Sequence, residues 1–224
     1  MALGNGKRLV LLAILVIAAG AGPSAAAAGQ PGVSASVWTV PAREASAASS
    51  LTVLAVNDQM RIDNRISAHI GPTGRLVLTA PEGLGDPDGD GPSCGLDNAK
   101  PGESSAQQVS CAPGYIGAIV GDLNGGNDTF DAEPGLRVAV GAVVDGERRP
   151  LAGGPGRDRL LGGAAPDLLD GGGGPDAIVG GGDQDVLVGG PGADKVNGGA
   201  GRDLCRGGGG VDAAKSCEIG RGIP

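Results

Sequence analysis

Between Gly153 and Lys215 an aspartate returns at every ninth residue: Asp158, Asp167, Asp176, Asp185, Asp194, Asp203 and Asp212. In rows of nine the segment reads GGPGRDRLL, GGAAPDLLD, GGGGPDAIV, GGGDQDVLV, GGPGADKVN, GGAGRDLCR and GGGGVDAAK. Paired glycines open each row, and the eighth position holds Leu160, Leu169, Ile178, Leu187, Val196, Cys205 and Ala214. A glycine-rich solvated tail would need neither a carboxylate at one fixed position nor an apolar residue two places later. The chemistry on offer is hard oxygen, carboxylates in series with turn carbonyls beside them, a donor set that suits calcium better than magnesium.

The elements that must position these oxygens follow from the row. Glycines at positions one, two and four let six residues turn tightly through positive φ, and the last three form a short strand. Side chains alternate along a strand, so only the eighth residue faces inward. One coil therefore takes two rows, or eighteen residues. Rows one, three, five and seven turn on one edge, and rows two, four and six on the other. Stacking sets like-charged aspartates about 4.8 Å apart, where each pair repels by roughly 3.5 kcal/mol at an effective dielectric near 20. One Leu, Ile or Val per row hardly offsets that. A divalent cation between the turns reverses the sign, and without calcium this segment is expected to be disordered. The odd edge keeps glycine at position four in Gly156, Gly174, Gly192 and Gly210, whose backbone oxygens are further ligand candidates. On the even edge Ala165 and Asp183 replace it, so the odd edge is expected to hold its ions more tightly.

The rows follow the pattern G-G-x-G-x-D-x-U-x, and on these residues the segment resembles the RTX, or hemolysin-type, calcium-binding repeat family over 63 residues. The resemblance implies a parallel β-roll, an RTX solenoid with calcium as its ion, in a secreted bacterial protein. Gly125-Gly126-Asn127-Asp128-Thr129-Phe130 is similar to the family's half-row before the roll. Asp128 is the weaker candidate ligand, because Leu123 and Asn124 stand in place of the paired glycines. Residues Val144 to Ala152 keep the register with Leu151 in eighth place, but Arg149 occupies the aspartate position, and this row is expected to be a cap.

Upstream, β-favouring runs such as Leu51 to Val56, Arg75 to Thr79, Tyr115 to Val120 and Leu136 to Val140 are separated by Gly, Pro, Asp and Asn. The chain thus reads as all-β: a signal peptide at 1–28, a small β-rich domain with the entry into the roll at 29–152, the β-roll at 153–215 and a tail at 216–224. Residues Ala42 to Ser50 tolerate helix and suit a linker equally. Trp38 is expected to anchor the core of the N-terminal half, and His69 to be a half-buried strand residue.

Four cysteines allow three disulfide connectivities. Proximity suggests Cys94 with Cys111 and Cys205 with Cys217, while zinc is disfavoured because C-x-x-C is absent and the one histidine is remote. Two other motifs carry less. Gly91-Pro92-Ser93-Cys94-Gly95 matches G-x-S-x-G literally, but no histidine follows it. Asp86-Pro87-Asp88-Gly89-Asp90-Gly91 fits the start of an EF-hand loop with Asp97 at position twelve, and neighbouring Gly and Pro forbid the flanking helices. A solvated acidic turn is the plainer reading, with an isolated loop over 86–97 that binds calcium weakly as the alternative.

Composition narrows the function. With 46 glycines, 16 prolines and three aromatic residues in 224, no ordinary core can form. A formal charge of −8 and a pI near 4.6 exclude a nucleic-acid reader and favour cations as partners. Lys7 and Arg8 precede an apolar run from Leu9 to Ala19 and then Ala25 to Ala28, the layout of a cleaved secretory signal too short to span a bilayer. General secretion to an extracellular, oxidising space is expected, with no membrane span in the mature protein. No catalytic constellation is legible, so a non-enzymatic calcium-binding module leads. The alternative is a calcium-folded appendage to an N-terminal domain with its own hydrolase or ligand-binding activity, since RTX repeats often accompany proteases, lipases or toxins.

Overall fold

A computed structural model of the chain describes residues 33–40, 51–58, 62–85, 94–97, 105–114, 116–144 and 147–221. Every regular element among them is a strand. The signal segment 1–28, the stretch Ala42 to Ser50 and the acidic loop from Asp86 to Ser93 lie outside the described residues. None of the described residues forms a helix long and apolar enough to cross a membrane.

The β-favouring runs of the N-terminal half become β1 (Val33–Val40), β2 (Leu51–Asp58), β3 (Arg65–Ile70), β4 (Leu76–Gly85), β5 (Cys94–Asp97) and β6 (Ser105–Cys111). β1 and β2 pair antiparallel, with Trp38 opposite Val53; the Trp38 side chain lies outside the described residues. β3, β4, β6 and β5 pair antiparallel in that order, which sets Cys94 opposite Cys111 for their disulfide. His69 is half-buried on β3, as expected of a strand residue.

Next come β7 (Ala118–Asp122), β8 (Thr129–Ala132), β9 (Ala139–Val140) and a hairpin of β10 (Ala142–Val144) with β11 (Glu147–Arg149). The C-terminal region holds β12 (Leu151–Pro155), β13 (Arg159–Leu161), β14 (Leu168–Gly173), β15 (Ala177–Gly182) and β16 (Val186–Pro191). It ends with β17 (Lys195–Ala200), β18 (Leu204–Gly209), β19 (Ala213–Lys215) and β20 (Ile219–Arg221).

Here each strand pairs in parallel with the next but one. Leu151, Leu169, Leu187 and Cys205 share one register, and Leu160, Ile178, Val196 and Ala214 the other. The steps are those of a two-row coil. The strands are longer than the three residues expected: β14 to β18 each run six, from position seven into the third position of the following row. Outside row two, the second glycine of each pair stays within a strand, Gly190 opposite Gly208 for example. Lacking side chains, these backbones close up: a Cβ on Gly190, at φ 103°, would lie 1.9 Å from the Gly172 carbonyl oxygen. Only positions four to six remain for the turn.

The row ending in Ala152 is not a cap. Leu151 lies between Leu169 of β14 and Gly121 of β7, and β2 stacks on β7 with Leu54 opposite Ile119. On the other ladder Ile66, Phe130 and Leu160 are in register through β3, β8 and β13. Stacking needs an inward apolar residue and a free backbone ladder, and both outlast the loss of the Gly and Asp signature. One buried cluster consequently runs from Leu54 and Ile66 through Phe130 and Leu160 to Val196 and Cys205. Each such side chain contributes about 1.5–3 kcal/mol of burial. Ala214, expected to face inward, is exposed, because among the described residues no further strand stacks on β19.

Candidate metal centre

The turns at positions four to six bring the row aspartates into two chains of hydrogen bonds. On the odd edge the backbone N–H of Asp128 donates to Asp158 Oδ1 (2.8 Å), that of Asp158 to Asp176 (2.8 Å), that of Asp176 to Asp194 (2.9 Å) and that of Asp194 to Asp212 (3.1 Å). On the even edge Asp167 donates to Asp185 (2.9 Å) and Asp185 to Asp203 (3.0 Å). All seven row aspartates and Asp128 are buried, none more than 5% exposed.

One oxygen of each carboxylate is thus spent on the neighbouring coil. The other, Oδ2, has no hydrogen-bond partner in Asp128, Asp158, Asp176, Asp185, Asp194, Asp203 and Asp212. The first glycine of each row explains where it points. A Cβ on Gly171 would lie 2.5 Å from Asp176 Oδ2 and 2.7 Å from the Gly189 carbonyl oxygen, and Gly153, Gly162, Gly180 and Gly189 repeat the arrangement. A carboxylate oxygen and a carbonyl oxygen from the next coil therefore face one small space that only glycine leaves open. The carbonyls of Gly156, Gly174 and Gly192 also point along the stack, each within 2 Å of where a Cβ would sit on the position-four glycine of the next coil on that edge. Gly210 ends that series. Among the described residues no three Asp, Glu, His or Cys side chains meet at one point, so an ion here would draw on two coils' carboxylates plus backbone carbonyls. Such all-oxygen sets fit calcium.

Burial makes the ladder electrostatically unfavourable as it stands. Desolvation pushes Asp158 and Asp185 up to about 7, helped by neighbouring carboxylates and opposed by the backbone N–H each accepts. The same cause takes Asp128, Asp167 and Asp176 to about 6 and raises Asp194. The edges differ, though only partly for the reason expected. Asp183 has a φ of 72°, the strained backbone its Cβ implies, and its Oδ1 accepts the N–H of Gln184. Ala165 takes no positive φ, so strain does not distinguish it. Asp167 does: Val140 N–H donates to its Oδ1 and Gly163 N–H to its Oδ2, both at 2.7 Å, leaving no free oxygen.

Three participants escape the row pattern. Asn64, fully buried, continues the odd ladder: its N–H and Nδ2 both donate to Asp128 Oδ1, at 2.8 and 2.9 Å, and its own Oδ1 is unpartnered. A signal existed, since Asn64-Arg65-Ile66 is position six to eight with Asn for Asp. Val140 contributes only an N–H, for which sequence carries no mark. Glu218 accepts the Asp203 N–H. By contrast Asp97 is held within the antiparallel sheet by Gln108 and Ser110, both at 3.0 Å. Cys94 of the G-x-S-x-G match is bonded to Cys111, and Cys205 to Cys217.

The family model for the RTX calcium-binding nonapeptide repeat (4 copies) matches residues 152–187 and 179–213. The C-terminal region therefore carries an RTX hemolysin-type calcium-binding repeat. Comparison with curated proteins gives no match, and neither does comparison with solved structures.

Proposed function

We propose that the chain is a secreted, non-enzymatic calcium-binding protein whose C-terminal ladders form an RTX β-roll on binding calcium, the folded roll serving as a structural or interaction module. The observation that carries this is the file of buried carboxylate oxygens, unpartnered in every row but the second, beside carbonyls that face the same gaps. Asp158, Asp167, Asp176, Asp185, Asp194, Asp203 and Asp212 are the proposed ligands, with Asp128 joining them. Continuity of β2, β3, β7 and β8 with the ladders favours one module over an appendage on a separate domain. Secretion rests on the N-terminal signal pattern and suits two disulfides.

Calcium titration of the secreted chain followed by circular dichroism tests the proposal. Strand signal should rise with a midpoint on the order of 10⁻⁴ to 10⁻³ M, the range of extracellular modules, and magnesium should not replace calcium. A spectrum unchanged by chelation would refute it.

A further inference from the structure

We propose that the chain closes one more cation site beyond its last repeat, between Asp203 and Glu218, and that the Cys205–Cys217 disulfide holds it together. The proposal rests on the calcium reading above. Row six is the last row on the even edge, and the residue in phase with Asp203 would be Arg221, which cannot serve. The chain instead returns three residues early: Leu204 pairs with Ile219, fifteen residues on, where every other coil of the repeat takes eighteen.

That shortened return puts Glu218 where an aspartate would stand. Glu218 Oε2 accepts the N–H of Asp203, as Asp203 Oδ1 accepts that of Asp185. The backbone copies the repeat as well. A Cβ on Gly198 would lie 2.0 Å from the Ser216 carbonyl oxygen and 2.4 Å from Asp203 Oδ2. One coil earlier the same two places, seen from Gly180, belong to the Gly198 carbonyl and Asp185 Oδ2. Ser216 departs from the repeat in its backbone, with a φ of 51° where Gly198 and the other first glycines take no positive φ. Asp203 is 1% exposed and its Oδ2 has no partner. The buried unpartnered oxygen of Asp203 is thus met by a carbonyl and a second carboxylate, Ser216 and Glu218, that lie past residue 213, where the repeat match ends.

The disulfide fixes the register. Cys205 fills the inward eighth position of row six, and Cys217 precedes Glu218 directly. With the thiols oxidised the early return is held; with them reduced, nothing covalent sets Glu218 against Asp203, so the site forms only in an oxidising compartment.

Native mass spectrometry of the oxidised, calcium-loaded secreted chain counts the ions. Glu218→Gln, at an exposed residue, should lose one ion relative to the parent. The pair Cys205→Val with Cys217→Ala, which keeps the inward position apolar, should lose the same one, and the triple variant no more. Hydrogen exchange over residues 160–196 should be unchanged in all three. A parent chain that loads no calcium would refute the function proposed above. A parent that loads while Glu218→Gln carries as many ions would overturn this site alone, and loss in Glu218→Gln but not in the cysteine pair would overturn the role of the disulfide.

Discussion

In calcium-free buffer the strand signal of the chain should strengthen as the pH is lowered from 8 to 5.5. Asp158 and Asp185 keep their protons in the fold up to about 7, and Asp128, Asp167 and Asp176 up to about 6, against 3.8 in an open chain. Between those values the fold binds more protons than the open chain, so its stability falls as pH rises and levels off above about 7. Each pH unit in that window is worth about 1.4 kcal/mol per carboxylate. Reaching pH 5.5 would return about 2 kcal/mol from each of Asp158 and Asp185 and under about 1 from each of the other three; water at the turn edges halves this, leaving roughly 3 kcal/mol. A roughly hundredfold change in the ratio of folded to open chain follows, readable by circular dichroism, while staying clear of the pI near 4.6 where association sets in. With calcium present the slope should turn over, the apparent affinity falling with pH because protons and cations compete for the same oxygens. A calcium-free signal that is flat, or stronger at pH 8 than at 5.5, would show that ladder repulsion is not what calcium relieves.

Asp176→Asn removes charge between two gaps and should raise the calcium midpoint several-fold, whereas Asp167→Asn, whose oxygens already take two N–H groups, should move it less; equal midpoints in a titration would refute the difference between the edges. Gly189→Ala would drive a Cβ to 2.5 Å from both Asp194 Oδ2 and the Gly207 carbonyl oxygen, and should cost about 1–3 kcal/mol in thermal unfolding at saturating calcium. Gly209→Ala, with nothing within 4 Å of its Cβ, should leave the transition in place, and equal shifts in the two variants would count against the close approach of the coils.

The seven rows were legible because a carboxylate, a glycine pair and an inward apolar residue recur at fixed spacing, and eighteen-residue pairing follows from nothing else. Cysteine proximity likewise led to both bonds. What lay hidden was the ladder's extension. Ile66 and Phe130 do in the N-terminal half what Leu160 and Ile178 do in the rows, yet 64 residues separate them, and pairing across such a distance leaves no period to read. Leu151 kept its inward position beside Arg149 because core packing and the turn site are separate requirements, and only the second had lapsed. The six-residue strands were missed because glycine reads as a turn former, although here it lets stacked backbones touch.

Interchangeable rows carry the hazard of slipping by a whole coil, since Leu169 on Leu187 is nearly the same contact as Leu151 on Leu169. Two unrepeated fixtures remove it. The single phenylalanine of the chain, Phe130, is wedged between Ile66 and Leu160 and marks the origin of the count. The bond from Cys205 to Cys217 marks the stop. Between these fixtures the number of coils is a free parameter: adding or deleting two rows together keeps every edge, every gap and both ends in phase, so this chain can lengthen in steps of two nonapeptide rows without redesign of either end.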